Sequence, residues 1–86
     1  MIKLTPAQIA DLPPYVRMED DKGGACCLKR NGATYWKPTG AWIVCVRDQD
    51  GQLVAFSDNP HLKHVNGNKL IPCSQEDFRR DNRGYV

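Results

Sequence analysis

The sequence predicts an α+β fold that is mainly β: a small, curved antiparallel meander or open barrel of the SH3-like or OB-like kind, with a short helix at each end. Three observations carry this. Between Ala25 and Ser57, apolar runs are separated by Asn31-Gly32, Thr39-Gly40 and Asp50-Gly51. Such dipeptides signal hairpins because tight turns need positive φ, which Gly reaches freely and Asn tolerates. Thr5-Pro6-Ala7-Gln8 has the form of a capping box with Pro at the first helical position. Ser74-Gln75-Glu76-Asp77 places a hydroxyl cap first and acids at the positive end of a second helix.

The first helix spans Pro6 to Asp11, because Pro13-Pro14 removes two amide donors and biases Leu12 toward an extended conformation. Ile9 and Leu12 then share one face. Tyr15, Val16 and Met18 form a brief strand before Gly23-Gly24 opens the meander. Its first strand is Ala25 to Arg30, turned by Asn31-Gly32 into Ala33 to Lys37, which Pro38-Thr39-Gly40 ends. Ala41 to Val46 is apolar at every position, which predicts cover on both faces. The loop Asp48-Gln49-Asp50-Gly51 leads into Gln52 to Ser57. Asp58-Asn59-Pro60 turns the chain, and His61 to Asn68, with little hydrophobic periodicity, reads as a loop. Lys69 to Pro72 is a last strand, followed by the helix headed by Ser74, anchored by Phe78, with Arg79, Arg80 and Arg83 toward its end and Gly84 as a stop.

The 86 residues hold one domain, 1–86, with 41% hydrophobic and 26% charged residues, an ordinary globular composition. No apolar run approaches the roughly 18 residues of a membrane span, and the N-terminal residues lack a signal-peptide apolar segment. A cytoplasmic location is the expectation. The net charge of +2 gives no strong field toward nucleic acid, although Glu19, Asp20 and Asp21 cluster, as do Arg79, Arg80 and Arg83.

Cys26, Cys27, Cys45 and Cys73 fit neither a disulfide framework nor a zinc motif. Adjacent Cys26 and Cys27 face opposite sides of a strand, and His61-x-x-His64 has no Cys-x-x-Cys beside it. The one defensible zinc set is Cys45, Cys73, His61 and His64; the expectation is reduced cysteines, no metal and no cofactor. Ser57, Asp58, His61 and His64 form no hydrolase elbow or other catalytic motif, so no enzyme is expected. Lys29 beside Cys26-Cys27 gives no resolving thiol pattern.

What remains is recognition. Tyr35, Trp36, Arg47 and Arg80 are the candidate contacts to a protein partner, since aromatic and arginine residues supply most interface energy. Arg30, Trp36, Lys37, Trp42 and Arg47 are the alternative set, a platform on which single-stranded bases stack while cations meet phosphates. Tyr35 and Trp36 are neighbours on a strand, so at most one joins Trp42 on an exposed face. Short, self-contained and poor in motifs, the chain is similar in size and style to accessory proteins of phages and mobile elements. That resemblance implies a non-enzymatic module, monomeric or homodimeric, that inhibits a host protein or a defence nucleoprotein of the CRISPR type by occluding a surface. A small nucleic-acid-binding domain is the alternative, and a zinc-stabilised domain the third reading.

Overall fold

A computed structural model describes residues 2–19, 25–37 and 40–83. Asp20-Asp21, Gly23-Gly24, Pro38-Thr39 and Gly84, each given a role above, lie outside the described residues. The elements in chain order are β1 (Ile2–Lys3), α1 (Pro6–Ala10), β2 (Tyr15–Glu19), β3 (Ala25–Asn31), β4 (Thr34–Trp36), β5 (Trp42–Arg47) and β6 (Leu53–Phe56). A 3-10 helix (Pro60–Val65), β7 (Lys69–Pro72) and α2 (Gln75–Asp81) complete it.

The meander closes. Strands β2 to β7 form a six-stranded antiparallel barrel in the order β5-β4-β3-β2-β7-β6, shut by a β5–β6 pairing, and β1 lies outside on β5. Two features account for closure where the sequence suggested an open edge. The brief strand β2 is paired along both sides, with β3 and with β7. The chain then returns to β6 through Val54 opposite Lys69 and two backbone bonds, from the Ala55 amide to Asn68 and from the Gly67 amide to Ala55. A closed sheet leaves no long unpaired edge, and the result is a small barrel of the SH3-like or OB-like class.

Alternation fills the interior. Val16 and Met18, Leu28, Tyr35, Ile43 and Cys45, Ala55 and Leu70 point inward from the six strands, and Leu12, Leu62 and Val65 join the same core. Inward residues oppose inward residues: Val16 faces Leu28, Tyr35 faces Ile43, and Cys45 faces Ala55. The segment 60–65, read as a loop, is helical because Asn59 caps it, its side chain accepting the His61 amide at 2.9 Å, with Pro60 preset at the first position. Leu62 and Val65 are three apart, the repeat that eclipses side chains in a 3-10 helix, and both are buried.

Both predicted capping boxes form. Thr5 and Gln8 exchange bonds at the start of α1, and Ser74 and Asp77 do so at α2. The Ser74 bonds and Arg80 nearby hold the Asp77 carboxyl below its ordinary range.

Burial acts in the opposite direction on the thiols. It pushes Cys45 up from 9.0 to about 11 and raises Cys27 from the same ordinary value. Each thiol stays neutral in the folded chain where the unfolded chain would already ionise. Their stabilising contribution is therefore complete below pH 9.0 and is lost as pH rises through the folded values. The melting temperature is expected to fall between pH 9 and about 11, and Cys45→Ala to flatten that slope while lowering the whole curve. An equal slope in the variant would show that Cys45 does not supply it.

Candidate aromatic and basic cleft

The β3–β4 turn decides which side chains meet on the outer face. Asn31 pairs with Thr34, so Gly32 and Ala33 are the two turn residues, one position later than Asn31-Gly32. Gly32 has φ of 62° and no other residue type has positive φ among the described residues. A two-residue turn with positive φ at its first central position is of type II′, which needs Gly there and leaves Asn31 in the strand. The shift matters because it places Lys29 opposite Trp36.

At the next hairpin the Lys37 amide donates to Ala41 at 2.9 Å, and Gly40, φ 88°, bonds back to Lys37. Trp36 is opposite Trp42, one step from that bonded pair. In an antiparallel ladder this is the non-hydrogen-bonded position, where Cα atoms approach to about 4.5 Å and side chains are closest. Lys29, Trp36 and Trp42 thus form one row across β3, β4 and β5. Trp42 is 47% exposed, so the cover predicted for both faces of β5 fails at its first residue, while Ile43 and Cys45 turn into the barrel.

Trp36 is half-buried because α2 lies beside it. The Phe78 ring sits 5.2 Å from Tyr15 and 6.2 Å from Trp36, tilted 43° and 45°. The helix is pinned there by Asn82, whose side-chain amide donates to the Cys27 and Phe78 carbonyls at 3.2 and 2.8 Å. The Cys27 thiol donates to Asp81 at 3.2 Å.

A cleft of about 330 Å³ opens along the row, lined by Lys29, Arg30, Asn31, Trp36 and Trp42. Its size lies at the small end of ligand sites, roughly 300–1,000 Å³. Arg30 is held in place by two bonds, from Nε to the Gly32 carbonyl at 2.9 Å and from Nη1 to the Leu12 carbonyl at 3.2 Å. None of the ion pairs among the described residues involves Lys29, Arg30 or Lys37. The cleft therefore combines two indoles with the Lys29 ammonium group and, among the described residues, has no carboxylate in its lining.

The candidates separate accordingly. Trp36 and Trp42 are brought together; Arg30 borders the cleft, but it pairs with Tyr35 and so turns its side chain to the opposite face, toward the Leu12 carbonyl, and Lys37, next after Trp36, is not among the lining residues. Tyr35 is 0% exposed, turned into the barrel with its hydroxyl donating to the Pro13 carbonyl at 2.7 Å, so it is no surface contact. Arg47 lies five residues beyond Trp42, about 17 Å along the strand, with Nη1 on the Gly51 carbonyl. Arg80 is engaged along α2 by Asp77 and Asp81. Lys29 and Asn31 are lining residues that sequence reasoning left out of the set; counting the register from a type II′ turn would have found both.

The remaining polar clusters hold backbone. Ser57 is buried, with its hydroxyl accepting the Asn59 amide and its own amide donating to Asn66. Cys45 faces the barrel interior, Cys73 lies near Cys27 beside α2, and His61 and His64 are exposed on the 3-10 helix, so the zinc set does not converge. Among the described residues no group of three or more His, Cys, Asp and Glu is placed to hold a metal ion, no disulfide forms, and no helix is long and apolar enough to cross a membrane. No protein-family model, curated protein or solved structure matches the chain.

Proposed function

We propose that this domain is a non-enzymatic binding module whose recognition surface is the Trp36–Trp42 cleft. The observation that carries the reading is the cross-strand row of Lys29, Trp36 and Trp42 on the outer face of the barrel. Folding stability alone favours burying an indole, and a tryptophan left nearly half exposed beside a cleft has the character of an interface anchor. The lining supplies charge, one amide and stacking faces. Among the described residues it offers no carboxylate, imidazole or thiol for proton transfer or nucleophilic attack, which favours recognition over catalysis. Occlusion of a host or defence nucleoprotein, the role suggested by size and style, would act through this same face.

The test is affinity capture from a bacterial lysate with tagged protein and its Trp42→Ala variant, at two salt concentrations and with or without nuclease. Trp42 is exposed enough for the variant to fold, which a thermal melt verifies. A partner retained by the parent protein and lost from Trp42→Ala supports the reading. Equal retention by both overturns it.

A further inference from the structure

We infer that the occupant of the cleft is single-stranded nucleic acid, with unpaired bases against Trp36 and Trp42 and a phosphate on Lys29. The inference rests on the binding-module reading above and adds the chemistry of its ligand. Charge complementarity decides among occupants. A pair of indoles by itself would take a planar ring, a proline-rich segment or an organic cation. Lys29, in the row with both indoles, repels a cation. A proline-rich segment gives this cation nothing to neutralise. A flat ring tied to an anion satisfies both halves of the site, and a nucleotide is that combination. Asn31 adds a donor and an acceptor for a base edge.

The geometry also favours single strands over duplex. Stacking needs a base face free of its neighbours, which a duplex does not offer. The row crosses three strands at about 4.8 Å spacing, so it spans roughly 10 Å and holds one or two nucleotides rather than a long backbone track. With Lys29 as the cation that the row presents among the described residues, the expected salt dependence is shallow. A logarithmic slope of about −0.7 per neutralised phosphate gives roughly a 3-fold loss of affinity from 50 to 200 mM salt for one phosphate.

The test uses end-labelled dT12 and rU12, and a 12-base-pair duplex, in fluorescence anisotropy with the full chain, read alongside intrinsic tryptophan emission. Binding of a single strand with that salt slope, quenched indole emission, weaker binding of duplex, and a loss of about 5- to 150-fold in Trp42→Ala supports the inference. Lys29→Gln should reduce the slope by about 0.7. Lys63→Gln, on the exposed 3-10 helix, should change nothing. Absence of binding to both single strands at 50 mM salt, or binding indifferent to Trp42→Ala, overturns it. If the oligonucleotides fail while capture from lysate stays dependent on Trp42 and survives nuclease, the occupant is a protein segment and only this inference falls. If capture is also indifferent to Trp42, the binding-module reading falls with it.

Discussion

Replacing Phe78 with alanine is expected to lower the unfolding free energy by about 3–5 kcal/mol and to release α2 from the barrel. The ring is 3% exposed and lies between Tyr15 and Trp36. A helix of seven residues has no stability of its own, since isolated helices below roughly 12–15 residues are marginal. Its capping box aligns the first turn and leaves the attachment to Phe78, Asn82 and the Cys27–Asp81 bond. A domain of this size has about 4–13 kcal/mol in all, so the substitution removes a large share. Urea unfolding followed by circular dichroism measures the loss. Two local readouts tell release of α2 from general weakening: red-shifted Trp36 emission, and alkylation of Cys27, which is 0% exposed while α2 is docked. Phe78→Leu, which retains apolar volume, should recover most of the stability. A loss below 1 kcal/mol with unchanged emission and no alkylation would show that the ring does not anchor the helix. The consequence for function is direct, because the same ring contacts one of the two indoles of the cleft.

That contact explains which parts of the site were legible in the sequence. The meander, both capping boxes and the opposition of Cys26 and Cys27 follow from local rules, and local rules are what a single chain displays. The separation of Tyr35 from Trp36 follows from strand alternation; which of the two is buried does not, because it depends on Ile43 across the barrel and on a carbonyl at Pro13. The Asn31-Gly32 dipeptide marked the hairpin correctly and its register one residue early, since Asn and Gly are both eligible for positive φ and only the ladder decides which adopts it. That single step hid Lys29. The 3-10 helix escaped because two apolar residues three apart make too short a pattern to register as periodicity. Arg47 and Arg80 were plausible contacts by residue type; their places at the far end of β5 and along α2 are set by the fold. In each case, a property set by neighbours in space could not be read from neighbours in sequence.

Tyr35→Ala is expected to be as costly as the Phe78 change, about 3–5 kcal/mol, and to act only through stability. The ring is fully buried, facing Ile43 across β4 and β5 and Arg30 across β3 and β4. Removing it opens a cavity where the inward residues of three strands meet. Tyr35→Phe separates packing from polarity. It keeps the ring and leaves the Pro13 carbonyl without this donor, and because the bond is only partly buried, water can take over. The expected cost is therefore near the low end of the range for a lost partner, about 1 kcal/mol, or a melting temperature lower by roughly 4–8 °C. The phenylalanine variant also removes a titration. Burial holds the phenol well above its ordinary 10.0, so its contribution is complete below that pH and lost as pH rises through the folded value; Tyr35→Phe should be less alkali-sensitive than the parent protein. Partner affinity per folded molecule should match the parent in Tyr35→Phe, while Trp42→Ala should show the converse, intact stability and lost binding. If Tyr35→Phe instead weakened binding at unchanged stability, the hydroxyl would have to reach the partner. The inward placement of Tyr35, and with it the alternation that puts Trp36 on the outer face, would then be wrong.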